Sequence, residues 1–236
     1  MPMPRYFLAK HAFVCAVGAD VVVLDLKHDR YVAFERDFWE PIARGIGGWP
    51  TLELESSAPE PAPDADALSQ LMESGLLTVD DHQGKDATPA AIELPSTSLI
   101  EDFRVQPPGI RAGHVFSFIA AVCSARLRLR FQPIEKVVST IRQGRQAHAK
   151  AADPGAMRDL TEVFRRLRPM LLTSRSHCLL ESLALLNFLA RYDIHPTWVF
   201  GVHTAPFSAH CWLQLGEVAC NDPLDHIRRY TPIMVV

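Results

Sequence analysis

The N-terminal third of the chain carries short apolar runs separated by turn residues, a pattern typical of antiparallel strands. Three such runs cover residues 13–17, 21–26 and 30–34, with a glycine-containing turn after the first and a polar turn after the second. Over residues 35–46 the apolar positions change to helical spacing, which predicts a first helix there.

A second helix and a last short strand complete this region. Asp64 or Asp66 can cap a helix that contains Leu68, Leu71 and Met72 and ends near residue 75, and residues 76–79 predict a strand. The order β-β-β-α-α-β predicts a small winged-helix-like domain over residues 1–80. Residues 81–98 have no sustained periodicity and contain prolines, so they are predicted to be a linker before a second domain at 99–236.

The second domain mixes helical and strand patterns and is therefore predicted to be α+β. Helices are predicted at residues 99–104, 109–131, 133–149 and from Cys178 onward, and strands at residues 197–202, 210–215 and 218–222.

Three residues in this second domain have the order of a thiol hydrolase: nucleophile, base and orienting carboxylate. Cys178 opens an apolar helix that Ser174 or Ser176 can cap, and the start of a helix favours a thiolate. His210 opens a strand and Asp222 closes the next one. We predict that His210 pairs with Cys178 as base and then acid, and that Asp222 holds His210 in the correct tautomer.

The hairpin between the last two strands sets a condition on this prediction. His210 and Asp222 are equally far from Gly216, the predicted tip, so they should face each other across one antiparallel pair. A two-residue loop at Gly216 and Glu217 would put the two side chains on opposite faces of the sheet. The prediction therefore requires an odd-length loop or a bulge.

Charge is distributed unevenly along the chain. Residues 1–97 hold 7 Lys/Arg against 16 Asp/Glu, whereas residues 98–236 hold 17 against 11. This asymmetry suggests that the two halves attract each other, or that the acidic half meets a basic partner and the basic half an acidic one. Nucleic acid is not expected as a partner, because the basic residues are dispersed on predicted helices without interleaved aromatic residues.

The 5 cysteines are odd in number and widely spaced, which argues against a disulfide framework and favours the cytoplasm. No membrane-spanning segment is expected, because charged residues interrupt the apolar runs. A metal site is the first alternative for the C-terminal chemistry. It would draw on a group of residues whose spacing fits no zinc pattern, namely His203, His210, Cys211, Cys220, Asp222 and His226.

The motifs around the three residues resemble one family closely. Cys178 followed by LLxSLAL, then GVxxxPFxAHxW ending at Trp212, then Asn221-Asp222-Pro223, is similar to the transglutaminase-like cysteine protease of lasso-peptide biosynthesis B proteins. The resemblance covers residues 99–236. The N-terminal domain resembles, by architecture more than by motif, the winged-helix precursor-recognition element that such proteins often carry. Cys211 departs from the family, which usually has a small residue there.

The resemblance implies a transglutaminase/papain-like leader peptidase that needs no cofactor and no metal. Cys178 would attack the carbonyl at the leader–core junction, with its own backbone N–H as oxyanion donor. The freed core would pass to an ATP-dependent, asparagine-synthetase-like lasso cyclase. The leader would add to the edge of the third strand. The candidate leader-binding residues are Tyr31, Val32, Phe34, Leu68, Leu71 and Met72.

Two other functions remain open from the sequence. An amine could replace water in the second half of the reaction, which would make the protein an acyltransferase or an amide cross-linking enzyme. Alternatively, the protein could be a non-catalytic module that recruits a precursor peptide, with a vestigial triad.

Overall fold

The chain folds into two compact units of mixed α and β structure. The structure, a computed structural model, describes residues 5–50, 64–101, 107–147, 153–172 and 178–236. The N-terminal unit comprises Met1–Ala91, Gly201–Ser208 and Thr231–Met234, and the C-terminal unit comprises Ile92–Phe200, Ala209–Tyr230 and Val235–Val236.

The N-terminal unit contains two three-stranded antiparallel sheets and short helices. Its elements are β1 (Phe7–Ala9), β2 (Ala12–Val17), β3 (Asp20–Asp25), β4 (Arg30–Phe34), α1 (Arg36–Trp39), α2 (Ala65–Glu73), β5 (Leu77–Thr78) and β6 (Gly84–Lys85). One sheet has the order β2-β3-β4 and the other has the order β5-β1-β6. The β2-β3-β4 meander and α2 lie where the sequence predicts them, whereas β1 and its sheet were not predicted.

Local chemistry explains where the helices of this unit begin and end. The Asp64 carboxylate accepts hydrogen bonds from the backbone N–H groups of Asp66 and Ala67, which caps α2, and Gly75 takes a positive φ just after the helix. The first predicted helix, residues 35–46, is wrong in length. It stops at Trp39 because Pro41 follows, and the chain continues as a 3₁₀ turn at Ala43–Gly45.

The core of the N-terminal unit lies between its sheets and helices. Trp39 is fully buried and donates its indole N–H to the Ala19 carbonyl at 3.0 Å. Around it pack aliphatic residues of β1, β3 and α2, including Leu8, Val21 and Leu68. The winged-helix assignment of this unit stays a prediction.

The predicted linker is only partly irregular. Its residues Gly84–Lys85 form β6, which pairs with β1, and its last residues form β7 (Thr97–Ser98), which pairs in parallel with a later strand. The two ends of the segment therefore belong to sheets, a pairing that its lack of periodicity concealed.

Five helices and a sheet build the C-terminal half of the chain as far as it is described. The helices are α3 (Ala112–Phe131), α4 (Ile134–Ala147), α5 (Pro154–Leu167), α6 (Cys178–Ala190) and α7 (Leu224–Ile227). The strands that follow β7 are β8 (Thr197–Thr204), β9 (Phe207–Leu215), β10 (Val218–Ala219) and β11 (Thr231–Val235), in the sheet order β11-β8-β9-β10-β7. The amphipathic helix α5 was not predicted. Of the helix predicted at 99–104, residues 99–101 form a turn and the other three lie outside the described residues.

Helix α6 is the central element of this unit. It is apolar on almost every side and packs against α3 and α5. Aromatic rings link the three helices: Phe164 of α5 lies 5.3 Å from Phe118 of α3 and 5.6 Å from Phe188 of α6, between ring centroids. A helix that is buried this completely is rigid, so it fixes the position of Cys178 at its start.

Helix α3 meets the length and composition of a membrane span, contrary to the expectation from the sequence. It buries one face, with Phe118 and Val122 in the core, and exposes Phe116 and Phe131. Core helices of proteins outside membranes pass the same test, so one such helix is weak support for a span.

Candidate active site

Cys178 is the first residue of α6 and is half-buried. The residues predicted to cap this helix, Ser174 and Ser176, lie outside the described part of the chain. Because α6 is packed on all sides further along, its first turn is fixed against the core, as a nucleophile on a rigid element requires.

Ser182 ties the start of α6 to the neighbouring strands. Its hydroxyl donates to the Cys178 carbonyl at 2.7 Å, accepts from the Trp198 indole N–H at 2.9 Å and lies 3.2 Å from the Cys211 sulfur. Trp198 is on β8 and Cys211 is on β9. One fully buried hydroxyl therefore fixes the distance between the helix turn of Cys178 and the sheet.

The structure brings Cys178, His210 and Asp222 together. His210 Nε2 hydrogen-bonds to Asp222 Oδ2, and the His210 side chain lies close enough to the Cys178 sulfur for each to shift the pKa of the other. Because Nε2 faces Asp222, Nδ1 is the nitrogen left for the sulfur. Both His210 and Asp222 are largely buried.

The prediction that the hairpin has an odd-length loop or a bulge is wrong. The hairpin loop has two residues, since Val218 pairs with Leu215 and Ala219 pairs with Gln214, and Gly216 supplies the positive φ that such a loop needs. In a continued ladder His210 and Asp222 could not have faced each other.

Asn221 explains why the ladder stops. Its side-chain oxygen accepts the Leu213 backbone N–H at 2.8 Å, so this amide does not bond to the next strand. Strand β10 ends at Ala219, and Asp222 leaves the sheet, anchored by Ser98 Oγ, which donates to its backbone carbonyl at 2.7 Å. Asp222 reaches His210 from a loop rather than from a strand position.

The surroundings of Cys178 favour its thiolate. A hydrogen bond from the Cys211 side chain contributes most, and together with His210 it outweighs burial and lowers the pKa of Cys178 to about 4. Burial alone would lower the pKa of His210, but its hydrogen bonds to Asp222 and Cys178 prevail and raise this pKa to about 9. Between these values the pair is a thiolate and an imidazolium.

Cys211 is part of the site, because its side chain lies next to Cys178 and Ser182. Its thiol is buried, and both burial and the adjacent Cys178 raise its pKa well above the ordinary value. A thiol that keeps its proton can donate it to a thiolate. Cys211 is therefore a neutral thiol beside the nucleophile, and its presence favours the Cys178 thiolate.

A half-buried acid next to the site is paired with an arginine. Glu181 lies three residues after Cys178, and burial raises its pKa, with smaller contributions from Asp222 and Cys178. Arg168 Nη2 pairs with the Glu181 carboxylate at 2.7 Å. This pairing limits the repulsion that an anion would exert on the Cys178 thiolate.

A second histidine, missed in the sequence as a partner of the triad, lies on the far side of Asp222. His226 Nδ1 is 3.0 Å from both carboxylate oxygens of Asp222. The Tyr230 ring packs against His210 at 5.1 Å and against His226 at 5.3 Å, between ring centroids. No periodic signal in the sequence marks this contact, because Asp222 lies in the loop before α7 and the helix begins only at Leu224.

His210, Asp222 and His226 are also the described residues best placed to hold a metal ion. Their ligand atoms lie within 4.8 Å of one another. His210 Nε2 and His226 Nδ1, the two nitrogens that such an ion would use, both form hydrogen bonds with the Asp222 carboxylate. The other members of the proposed metal group do not join this cluster in the described part of the chain.

A small cavity beside the site lies between α5, α6 and the Ser98 turn. Leu99, Phe164, Arg168 and Glu181 help to line it, and its volume is about 40 Å³. This is room for roughly three or four water molecules.

The candidate leader-binding residues fall into two groups within the N-terminal unit. Leu68 and Leu71 are 4% and 5% exposed and belong to the core, so direct contact with a peptide is not expected from them. Met72 is exposed, and Tyr31, Val32 and Phe34 are half-buried on β4. Among the described strands β4 pairs with β3 alone, at the edge of its sheet.

Aromatic contacts surround β4 within this unit. Phe34 stacks on Phe38 at 5.0 Å, and Tyr31 lies 5.7 Å from Phe207, between ring centroids. Phe207 is 50% exposed. The β4 edge thus offers backbone groups next to partly exposed aromatic surface.

Comparison with known proteins identifies the C-terminal part of the chain. Residues 119–235 match the family model of the transglutaminase-like superfamily, a range that contains Cys178, His210 and Asp222. Searches of curated proteins and of solved structures gave no significant match. The superfamily includes cysteine proteases and transglutaminases. The C-terminal part of the chain is a transglutaminase-like domain.

Proposed function

We propose that this protein is a cysteine peptidase that removes the leader from a lasso-peptide precursor. The observation that carries the proposal is the hydrogen-bonded series Cys178, His210, Asp222 within a transglutaminase-like domain. The motif resemblance to lasso-peptide B proteins supplies the substrate class. The proposed partners are the precursor and an ATP-dependent lasso cyclase, and the proposed location is the cytoplasm, with neither nucleic acid nor membrane as a partner.

The first half of the reaction uses the ion pair at the start of α6. The Cys178 thiolate attacks the scissile carbonyl, and the negative oxygen that forms is stabilised by backbone N–H groups, with that of Cys178 as the proposed donor. The tetrahedral intermediate collapses and breaks the C–N bond. The His210 imidazolium gives its proton to the departing nitrogen, so the core leaves with a free α-amine.

The second half returns the enzyme to its starting state. His210, now neutral, takes a proton from water as the water attacks the thioester between Cys178 and the leader. The C–S bond breaks, which restores the thiolate and leaves His210 as the imidazolium. The leader departs as a carboxylic acid that then gives its proton to the solvent. No step in this sequence requires a cofactor.

Recognition of the leader is proposed at the edge of β4. The carboxyl-rich N-terminal half suits a basic leader, and an extended peptide can pair with the outward backbone groups of β4. Tyr31, Val32, Phe34 and Met72 supply the side chains around this edge.

The proposal is tested with a synthetic lasso-peptide precursor that contains leader and core, and with mass spectrometry of the products. The wild type is expected to cut it once into leader and core, and Cys178→Ala to leave it intact. Asp222→Asn should keep the fold, judged by thermal unfolding, and reduce kcat by roughly 10³- to 10⁴-fold because His210 loses its orienting anion. Cleavage that persists in Cys178→Ala would contradict the proposal.

The same experiment separates the alternative functions. The superfamily match fits acyl transfer as well as hydrolysis. With a primary amine added in excess, an acyltransferase would yield leader amide, whereas a peptidase yields leader acid. A wild type that binds the peptide, with no cleavage and no transfer, would identify a recruitment module instead.

A further inference from the structure

The Asp222 carboxylate has two imidazole partners, and the triad accounts for only one of them. His210 Nε2 bonds to Oδ2, and His226 Nδ1 lies 3.0 Å from both Oδ1 and Oδ2. Asp222 is 7% exposed. An ionised carboxylate only accepts hydrogen bonds, so both facing nitrogens must carry protons.

We propose that His226 is a positioning residue for the triad: its Nδ1–H holds both oxygens of Asp222 and thereby fixes the plane in which the carboxylate orients His210. This inference deepens the proposed function, on which it rests. It concerns the histidine–carboxylate geometry and not the identity of the peptide.

The need for such a residue follows from how Asp222 is placed. Because β10 ends at Ala219, the Asp222 side chain is carried by a loop, and Ser98 anchors only its backbone carbonyl. A carboxylate with a single partner can rotate about its last torsion, which is broad and roughly two-fold. A bifurcated bond from His226 engages both oxygens and restricts that rotation.

The surroundings of His226 restrict its ring in turn. The His210 and His226 ring centroids are 4.6 Å apart at an interplanar angle of 61°, and Tyr230 packs on the edges of the pair. His226 lies in α7, four residues after Asp222, with its side chain 40% exposed. The titratable groups that face it are Asp222, His210 of β9 and Tyr230, and α7 itself also carries Asp225.

Three substitutions distinguish a positioning role from a purely structural one. His226→Asn keeps an N–H close to the position of Nδ1, whereas His226→Gln keeps an amide but moves it to the position of Nε2. His226→Ala removes the donor. Thermal unfolding verifies that all three fold, and Gln serves as the matched control for Asn.

Two readouts are taken from each full-length variant. One is kcat and KM for the synthetic precursor peptide. The other is the titration of His210 followed by NMR of protein with ¹⁵N-labelled histidine, assigned with a His210→Gln spectrum.

The asparagine variant is expected to retain kcat within about threefold, and the glutamine and alanine variants to lose about tenfold in kcat with KM unchanged. The His210 midpoint should rise in the glutamine and alanine variants, because a carboxylate that loses one donor interacts more strongly with the other imidazole. It should stay at the wild-type value in the asparagine variant.

The inference is overturned if all three variants keep the wild-type kcat and the wild-type His210 midpoint. It is also overturned if the asparagine variant loses as much kcat as the glutamine variant. If the wild type cleaves no peptide, the proposed function fails. The histidine titration still decides whether His226 acts on His210 through Asp222.

Discussion

At the scale of single residues, the site depends on groups that share hydrogen bonds with the nucleophile. The sequence pointed to Cys178, His210 and Asp222, and the structure brings these three together. The sequence did not indicate that the Ser182 hydroxyl and the Cys211 thiol also belong to the site. A buried serine in an apolar helix and a cysteine beside a histidine are both typical core residues, and only their three-dimensional contacts reveal their role.

Cys211 allows a direct test of how the thiolate is stabilised. In Cys211→Ala the largest contribution that lowers the pKa of Cys178 is lost, while His210 remains. The rate of Cys178 alkylation by iodoacetamide falls at low pH as the thiolate is protonated. The midpoint of this fall, the acid limb of the profile, should therefore move from near pH 4 to higher pH, with the rate at alkaline pH unchanged.

Cys220→Ala is the matched control for this test. Cys220 is equally buried, but its only sulfur contact described is with Met157, so its removal should leave the acid limb in place. An unshifted limb in Cys211→Ala would show that His210 alone stabilises the thiolate.

At the scale of secondary-structure elements, periodicity located most strands and helices but not where they end. The sequence predicted β2, β3, β4, α2, α3 and α4 close to their observed positions. The predicted first helix ran past Pro41, whereas α1 ends at Trp39. The predicted strand at 218–222 is three residues longer than β10, because the Asn221 side chain takes the Leu213 N–H that would form the next hydrogen bond between the strands. Side-chain competition for a backbone amide cannot be inferred from an apolar pattern.

Asn221 is the test at this scale. Asn221→Ala leaves the Leu213 N–H without its acceptor, which should lower the free energy of unfolding by about 1–3 kcal/mol. It should also reduce kcat more than the stability loss explains, because β10 can then extend and draw Asp222 away from His210.

Asn221→Asp serves as the control, because it retains an oxygen at the same position. Urea unfolding and kcat for the precursor peptide measure the two effects. If kcat for Asn221→Ala equals that of the wild type, the end of β10 does not position Asp222.

At the scale of the whole molecule, the units are not continuous in sequence. The N-terminal unit includes Gly201–Ser208 and Thr231–Met234 from the far half of the chain. The predicted division at 1–80 and 99–236 could not anticipate this, because contacts between distant segments leave no periodic pattern. Removal of residues 1–80 would strip those segments of their partners, so leader recognition is better tested by a point substitution.

Ala33 on β4 is suited to that test. The Leu26 N–H donates to the His11 carbonyl, so the even-numbered residues of β3 direct their backbone groups toward β2 and the odd-numbered ones toward β4. Val23 pairs with Val32, so the backbone groups of Val32 face β3 and those of Ala33 face away from it. Ala33→Pro removes an outward donor and spares the β3–β4 ladder. We expect it to raise KM for the full precursor by about tenfold, roughly 1.4 kcal/mol, with kcat unchanged.

Ala33→Val is the matched control, since it enlarges the side chain and keeps the N–H. A short peptide that spans the cleavage site without the leader should be cut equally by wild type and both variants. A wild-type KM for the precursor in Ala33→Pro would remove the β4 edge from the recognition model.

The proposed thiolate can be tested by the alkylation rate of each of the 5 cysteines with iodoacetamide at pH 6, resolved by peptide mass spectrometry. We predict that Cys178, held as a thiolate by Cys211 and His210, reacts first, ahead of the more exposed Cys123, and that His210→Ala slows Cys178 alone. Cys123 reacting before Cys178, or a Cys178 rate indifferent to His210, would contradict it.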